Sequence, residues 1–592
     1  MLRVVLAALL VGVVAAPTVR AQNIDGTWKV DHVTTGSFEQ TTGIVRIKTE
    51  AGKATGALVA GSPRLITLTL KGVSVDGDML RIAFQNGTIE MTFSTRVPKE
   101  AAKRVLGVMV VDGTAYPASL SMTDETTLDL KSSSRPLPCP PFTQARSLAS
   151  RGLSLRIQAQ QTKDAEKRKA LLKQAAEADA TAKKETPRLY GEVLEKHADS
   201  PAVFEATTAL LRSAQSNNTK PDEVKGWAAT AMKSAQAYGP RFQAEVASQI
   251  ATALLIQDDS TAQALDFARQ AERLMPAKVS ASEEIRVLHL LTRALRKSDL
   301  DAEAKKFDVR IAKLDEVLDT EYLKKMPPFK AAPFAGRKSK SDRVVMMELF
   351  TGAACPPCVA ADLAFDVLQK SYTPRDLVLV QYHMHIPGPD PMTNPDTEAR
   401  WKYYAQSFPK EIRGVPSSVF NGQPKASGGG GIANAESKYQ AYCAVIDPLL
   451  ENPAAIKLSA KATRKGDAID ISVDVAGLSN PSPDKKLRIL LAEETVRYAG
   501  SNKIRMHHNV VRDFPGGVAG KALTDESSKH AASVNLGGLR GDLTKYLDAF
   551  QATGKTFSNP ARPMAMEHLR VIAFVQDDAT REILQAVQVE VK

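Results

Sequence analysis

The chain has 592 residues, too many for one hydrophobic core, so roughly three to five domains are expected. Its 78 basic and 66 acidic residues give a formal charge of +12 but are interleaved, most densely at 163–184, with no basic stripe carrying aromatics. That pattern excludes a dedicated nucleic-acid surface and points to solvated helix faces.

Met1-Leu2-Arg3, an uncharged apolar run at 4–16 and Val19-Arg20-Ala21 read as a secretory signal peptide, 1–21, cut after Ala21. The run is shorter than the roughly 20 residues that cross a bilayer, so the expectation is export to the periplasm or beyond, without membrane insertion. Residues 22–133 read as a β-rich domain. Alternation marks strands near 44–48, 65–70 and 89–93, and Asp76-Gly77, Asn86-Gly87 and Asp112-Gly113 supply hairpin turns. A small barrel or sandwich follows. Asp25-Gly26-Thr27-Trp28 faintly resembles the opening of lipocalin-like barrels, over four residues.

A Ser/Pro-rich linker, 132–142, precedes a helical region at 143–325, rich in Ala, Leu, Glu, Lys and Gln. Ala264, Ala268, Ala271 and Pro276 resemble the second helix of a tetratricopeptide repeat, though no strict period recurs. An all-α array of helical hairpins is expected, serving as scaffold or as a surface for a protein partner. A second linker, 326–342, leads to α/β texture at 343–450. From 452 to 592 the pattern is again β. Ile469, Ile471, Val473 and Val475 alternate with polar residues, and the set of strands suggests an immunoglobulin-like β-sandwich without its cysteine pair.

The chemistry concentrates at 343–450. An apolar strand, 343–350, is followed by Thr-Gly-Ala-Ala and then Cys355-Pro356-Pro357-Cys358. Val359, Leu363, Val367 and Ala360, Ala364, Leu368 advance by four, so the Cys pair opens a helix. Free N–H groups and the positive dipole end favour a thiolate there, lowering the Cys355 pKa. Proline in a first helical turn forfeits no hydrogen bond. A second buried strand, 377–385, a helical stretch near 396–407, Gly414-Val415-Pro416 ahead of another strand, and a last helix at 433–450 complete the order.

This order resembles the thioredoxin-like superfamily over about 110 residues. Glu-Leu-Phe-Thr-Gly before Cys355, with Thr393-Asn394-Pro395-Asp396 and Glu398-Ala399-Arg400 later, resembles secreted bacterial multidomain members. The resemblance implies a cis Val415–Pro416 bond beside the Cys pair, in a loop that grips substrate backbone. It also implies an exported thiol–disulfide oxidoreductase that needs no cofactor and acts on protein thiols or disulfides with a redox partner. Cys355, as the more exposed sulfur, would attack; Cys358 would resolve the mixed disulfide. Three positions depart from the family: Ala354 replaces a Trp, Pro-Pro replaces Gly-Pro, and the acid beneath the site is Glu348 rather than Asp. Glu348 is either the acceptor of the Cys358 proton or a structural buried acid.

His383 and His385 share a strand face and could join the Cys pair as two-sulfur, two-nitrogen ligands for zinc or copper. Some copper-handling superfamily members use a distant His in that way. Hydrogen bonding within the 386–391 loop is the simpler role. Cys443 reads as a small buried apolar residue on the last helix, and a Cys139–Cys443 bridge would close a very long loop. His507-His508, flanked by Arg505 and Arg512, could bind an anion or a metal, and reads more simply as an exposed loop pair.

Overall fold

The computed structural model describes residues 21–36, 38–50, 53–87, 89–257, 259–555, 557, 559 and 561–592. The signal-peptide reading, 1–21, falls almost wholly outside them. No helix among the described residues is long and apolar enough to cross a membrane. The chain divides into two compact units, 1–318 and 319–592.

The first unit opens with β1 (Gly26–Thr34), β2 (Phe38–Glu50), β3 (Lys53–Gly61), β4 (Leu68–Asp76), β5 (Met79–Asn86), β6 (Ile89–Arg96), β7 (Arg104–Val111) and β8 (Thr114–Met122). They pair antiparallel in the order β3-β2-β1-β8-β7-β6-β5-β4, a barrel closed except at the β3/β4 seam, and β9 (Ser134–Pro136) pairs with β2. Asp112 and Gly113 both take positive φ (51° and 77°), the geometry that joins β7 to β8 through two residues. Alternate side chains fill the interior: Trp28, Val30, Val45, Ile47, Ile82, Phe84 and Phe93 are buried together. Helices α1 (Pro140–Gln161), α2 (Ala165–Lys196), α3 (Ala202–Ser213), α4 (Pro221–Ala235), α5 (Pro240–Leu254), α6 (Thr261–Leu274) and α7 (Ala281–Lys297) follow, and α8 (Asp301–Lys325) runs across the division, its last turns, from Asp319, belonging to the second unit. Ala264, Ala268 and Ala271 form the buried face of α6, as small residues must where helices approach closely.

The second unit contains β10 (Val345–Thr351), α9 (Val359–Ser371), β11 (Leu377–His383), α10 (Pro395–Ser407), β12 (Ser417–Phe420), β13 (Gln423–Pro424) and α11 (Ala435–Leu450). It continues with β14 (Lys457–Lys465), β15 (Ala468–Ala476), β16 (Ser482–Arg497), β17 (Met506–Asp513), β18 (Lys521–Leu523), β19 (Ser528–Asn535), α12 (Leu536–Ala552), β20 (Leu569–Asp577) and β21 (Ile583–Glu590). β10 and β11 run parallel, with Thr351 opposite His383, while β12 lies antiparallel on the other side of β10.

The strands after 450 do not stand apart from the Cys-bearing segment. One sheet runs β13-β12-β10-β11-β17-β16-β20-β21, with β17 parallel to β11 at Gln381 and Val510. The physical reason lies in β11, where every residue is buried. A strand covered on both faces leaves costly unpaired backbone groups if one edge stays open, and β17 closes it. β14, β15 and β19 make a separate three-stranded sheet, and Ile469, Ile471 and Val473 pack with Leu487, Leu491 and Val571 of the large one.

A fully buried ion pair ties these layers together. Glu348 of β10 accepts from Arg400 of α10 through Nε at 2.8 Å and Nη2 at 3.0 Å, and from the Tyr382 and Tyr404 hydroxyls. Arg400 also donates to Gln576 of β20 at 2.9 Å and lies against the Tyr404 and Phe574 rings. Both partners are wholly inaccessible. Removing one strands the other's charge, so Arg400→Leu should destabilise this unit by about 3–5 kcal/mol in denaturant unfolding. A loss under about 1 kcal/mol would show that the pair is a spectator to folding.

Candidate functional site

Cys355 and Cys358 are joined as a disulfide where β10 hands over to α9. Pro356 and Pro357 start a short 3-10 turn that runs into α9, so Cys358 directly precedes the helix. Proline suits this stretch because its fixed φ matches a helical first turn. The Val415–Pro416 bond is cis, and the Val415 carbonyl oxygen lies 3.8 Å from Cys355 Sγ. The elements that the sequence separates by sixty residues thus meet at one sulfur.

Both sulfurs are buried, Cys355 at 1% accessible and Cys358 at 0%, so the expected difference in exposure between them is slight. Three backbone segments close around them. Gly430 N–H donates to the Pro357 carbonyl at 2.7 Å, and Ala360 N–H donates to the Gly430 carbonyl at 2.9 Å. Asn502 donates to Ala353 O from its backbone and to Gly352 O from its side chain. Met384 N–H donates to Thr351 O at 2.9 Å. A Cβ at Gly429 would collide with the Pro357 carbonyl, and one at Gly500 with the Ala353 carbonyl, which is why glycine stands at both closest approaches. Pro356, Pro357 and Gly429 face solvent at the rim, with Val415 and Pro416 half-buried.

Glu348 is held in the Arg400 pair, both oxygens taken by strong donors, and is therefore not free to accept a proton without leaving Arg400 unpaired. Beneath the cysteines the structure assembles a different set. Asp362 stands one helical turn after Cys358 on α9 and is fully buried; burial raises its pKa to about 7, which the neighbouring Thr351 hydroxyl and His383 offset in part. Gln381 Nε2 donates to Asp362 Oδ1 at 3.4 Å, and Oδ2 has no protein partner. Asp366, one turn further, is also pushed upward by burial and then by Asp362.

His383 and His385 diverge. His383 Nδ1 bonds Asp390 Oδ2 at 2.8 Å with both groups buried, and its ring meets His507 edge-on at 4.8 Å. Asp390 additionally accepts from the Ala353 and Met392 amides, and these bonds with His383 hold its carboxyl below the usual range against the opposing effect of burial. His385 accepts from the Asp390 amide at 3.0 Å and stacks on Phe550 at 3.6 Å; burial lowers its pKa to about 4. His507, expected in an exposed loop, is buried on β17 and bonded to the Tyr498 carbonyl at 3.0 Å. Among the described residues, no three His, Cys, Asp or Glu side chains are arranged to hold a metal ion. Cys139 and Cys443 are free thiols, the first buried and the second half-buried; burial raises the pKa of each.

Asp362 and Asp390 are residues of this buried layer that the sequence reading missed, and His507 was noticed there but placed in an exposed loop. The available signal was Asp362 and Asp366 at four and eight residues past Cys358, on one face of an otherwise apolar helix.

No family model matches the chain, and no curated protein matches it. Among solved structures, HBP35 of Porphyromonas gingivalis aligns at 16% identity over 43% of this chain and 77% of its own, with a TM-score of 0.31. Protein AGR_C_4864 from Agrobacterium tumefaciens aligns at 16% identity over 42% of this chain and 95% of its own, with a TM-score of 0.26. Likenesses at these scores carry no argument.

Asp362 gives a stability prediction with a definite sign. Its folded pKa of about 7 lies above the ordinary 3.8, so the native state holds a proton that the unfolded state releases between those values. Its contribution is present below pH 3.8 and is lost as pH rises through 7. The stability of oxidised Asp362→Asn relative to the parent should therefore climb across that window and level off above it, in paired unfolding titrations. A difference independent of pH would place an ordinary carboxyl at this position.

Proposed function

We propose that this chain is an exported thiol–disulfide oxidoreductase whose 343–450 segment is a thioredoxin-like module. The observation that carries this reading is the approach of the Val415 carbonyl, in its cis Val-Pro loop, to the sulfur of a Cys pair at a helix start. A metal ligand set would not call for a backbone acceptor at that sulfur. The parallel β10–β11 pair with α9 between them, and β12 antiparallel beyond, supports the same reading.

In the oxidising half-cycle of a substrate, its thiolate attacks Cys355 Sγ, the Cys355–Cys358 bond breaks, and Cys358 leaves as a thiolate. A second substrate thiolate then attacks the substrate sulfur of that mixed disulfide, releasing Cys355 and leaving the substrate oxidised. The reducing direction runs in reverse: Cys355 attacks a substrate disulfide, and Cys358 then attacks Cys355 Sγ and releases the reduced substrate. Helix-start N–H groups stabilise the Cys355 thiolate in either direction. The Val415–Pro416 segment aligns the substrate backbone beside Cys355. Because the pair is buried, the substrate sulfur enters at the rim formed by Pro357, Gly429 and Pro416, whose atoms are in close approach. The barrel and helical array act as accessory modules, the latter as a surface for a protein partner.

Thiol-exchange activity should fall to the level of the protein-free reaction in Cys355→Ser. Cys358→Ser should retain the first step and, through attack of Cys355 on a disulfide-bearing protein substrate, accumulate a one-to-one mixed disulfide, visible by non-reducing electrophoresis. Full activity in Cys355→Ser would overturn the assignment.

A further inference from the structure

Exchange at this pair leaves one proton to be placed. In the reducing direction Cys358 begins as a thiol and must lose its proton before it attacks Cys355 Sγ. Glu348 is committed to Arg400, so the base has to come from elsewhere. We propose, building on the thiol–disulfide reading, that Asp362 is the base that takes the Cys358 proton and returns it when the disulfide is reduced. Four observations support it.

Cys358 already has helical φ and ψ (−74° and −20°), so Asp362, four residues on, lies on the same face, about 5–6 Å away between Cβ atoms. Asp362 is completely enclosed, and its Oδ2 meets no protein donor among the described residues. Beside it, Thr351 Oγ1 and His383 Nε2 are likewise buried with no partner at full hydrogen-bond geometry, although the Thr351 hydroxyl still lowers the Asp362 pKa in part, and His507 Nδ1, whose ring meets that of His383, is bare as well. Finally, Asp390 binds His383 at Nδ1 and the Ala353 amide with the same oxygen, fixing both the imidazole and the turn that carries Cys355. Asp390 is a positioning residue in this scheme.

The groups facing Asp362 come from every surrounding element: Thr351 of β10, Gln381 and His383 of β11, Asp366 on its own helix, and Asp390 in the following loop. Tyr442 of α11 and Tyr322 of α8 complete the set; each hydroxyl is disfavoured from ionising by burial first and by Asp362 among other groups. A carboxyl titrating at about 7 is a competent base for a thiol near neutrality. The step balances. Cys358–SH and Asp362–COO⁻ become Cys358–S⁻ and Asp362–COOH; the thiolate forms the Cys355–Cys358 bond, and the substrate sulfur leaves with the electron pair of the broken mixed disulfide.

The test uses full-length reduced protein in a Cys139→Ser/Cys443→Ser background, mixed with an aromatic disulfide reagent that releases a coloured thiolate. The first release reports attack by Cys355, the second reports resolution by Cys358. The second phase should rise with pH and inflect near 7 in the parent. In Asp362→Asn it should slow by about 100-fold at neutral pH, with its inflection moved alkaline, while the first phase is unchanged. Asp362→Glu should restore a neutral inflection, which loss of fold in Asp362→Asn could not mimic. An unaltered second phase in folded Asp362→Asn overturns the assignment of the base. Absence of both phases in the parent overturns the exchange reading itself, and the two failures are thereby distinct.

Discussion

The Glu348–Arg400 pair is the constraint around which the second unit is arranged. A carboxylate and a guanidinium taken wholly out of water tolerate no slack, because each oxygen and N–H that loses a partner inside the protein is left in a medium that cannot replace it. Satisfying them draws in Tyr382 from β11, Tyr404 from α10 and Gln576 from β20. These residues fix α10 against one face of the sheet and tie a strand near the C-terminus to the strand leading to Cys355. The pair therefore acts on the Cys355–Cys358 turn from a distance, by setting where β10 ends.

Above that frame, the Cys turn is held mostly by backbone. The Gly430, Ala360, Asn502 and Ala353 amides all take part in bonds that fasten the turn or the helix behind it. Glycine at 429 and 500 lets chain approach chain more closely than any side chain would allow. The result is a disulfide enclosed on the protein side and bordered by proline on the solvent side. Below it lies a second polar layer, Asp362, His383, Asp390 and His507, in which charge is rationed by burial: Asp362 is held protonated toward neutrality, Asp390 is held ionised by His383 and two amides, and burial lowers the His507 pKa to about 3.

Much of this order was legible in the chain itself. Period-two alternation found β15 and the advance by four after Cys358 found α9, whereas the Val415–Pro416 loop beside Cys355 was implied by the family resemblance alone. Local pattern carries such information because it is generated within a few residues. What it could not carry was pairing over long separations. β11 recruits β17 across more than a hundred residues, so a β region that reads as a self-contained sandwich shares a sheet with the Cys-bearing strands. The same limit left the role of Glu348 open between proton acceptor and structural buried acid. Glu348 lies close to the Cys pair in sequence, yet its partner Arg400 is 52 residues away, and only that partner reveals its role. Asp362 was visible as a charge on an apolar helix, but its meaning depends on β11 and the 386–391 loop.

Reversible chemistry at one sulfur pair is the central requirement of the proposed function, and redox titration of the intact protein addresses it most directly. The protein would be equilibrated across graded thiol–disulfide buffers, quenched, and its cysteines labelled differentially before peptide mass analysis. A two-electron transition confined to Cys355 and Cys358, with Cys139 and Cys443 unlinked throughout, is the expected result. A pair that stays bonded under excess strong reductant while the fold persists would reduce the disulfide to a structural staple and contradict the account.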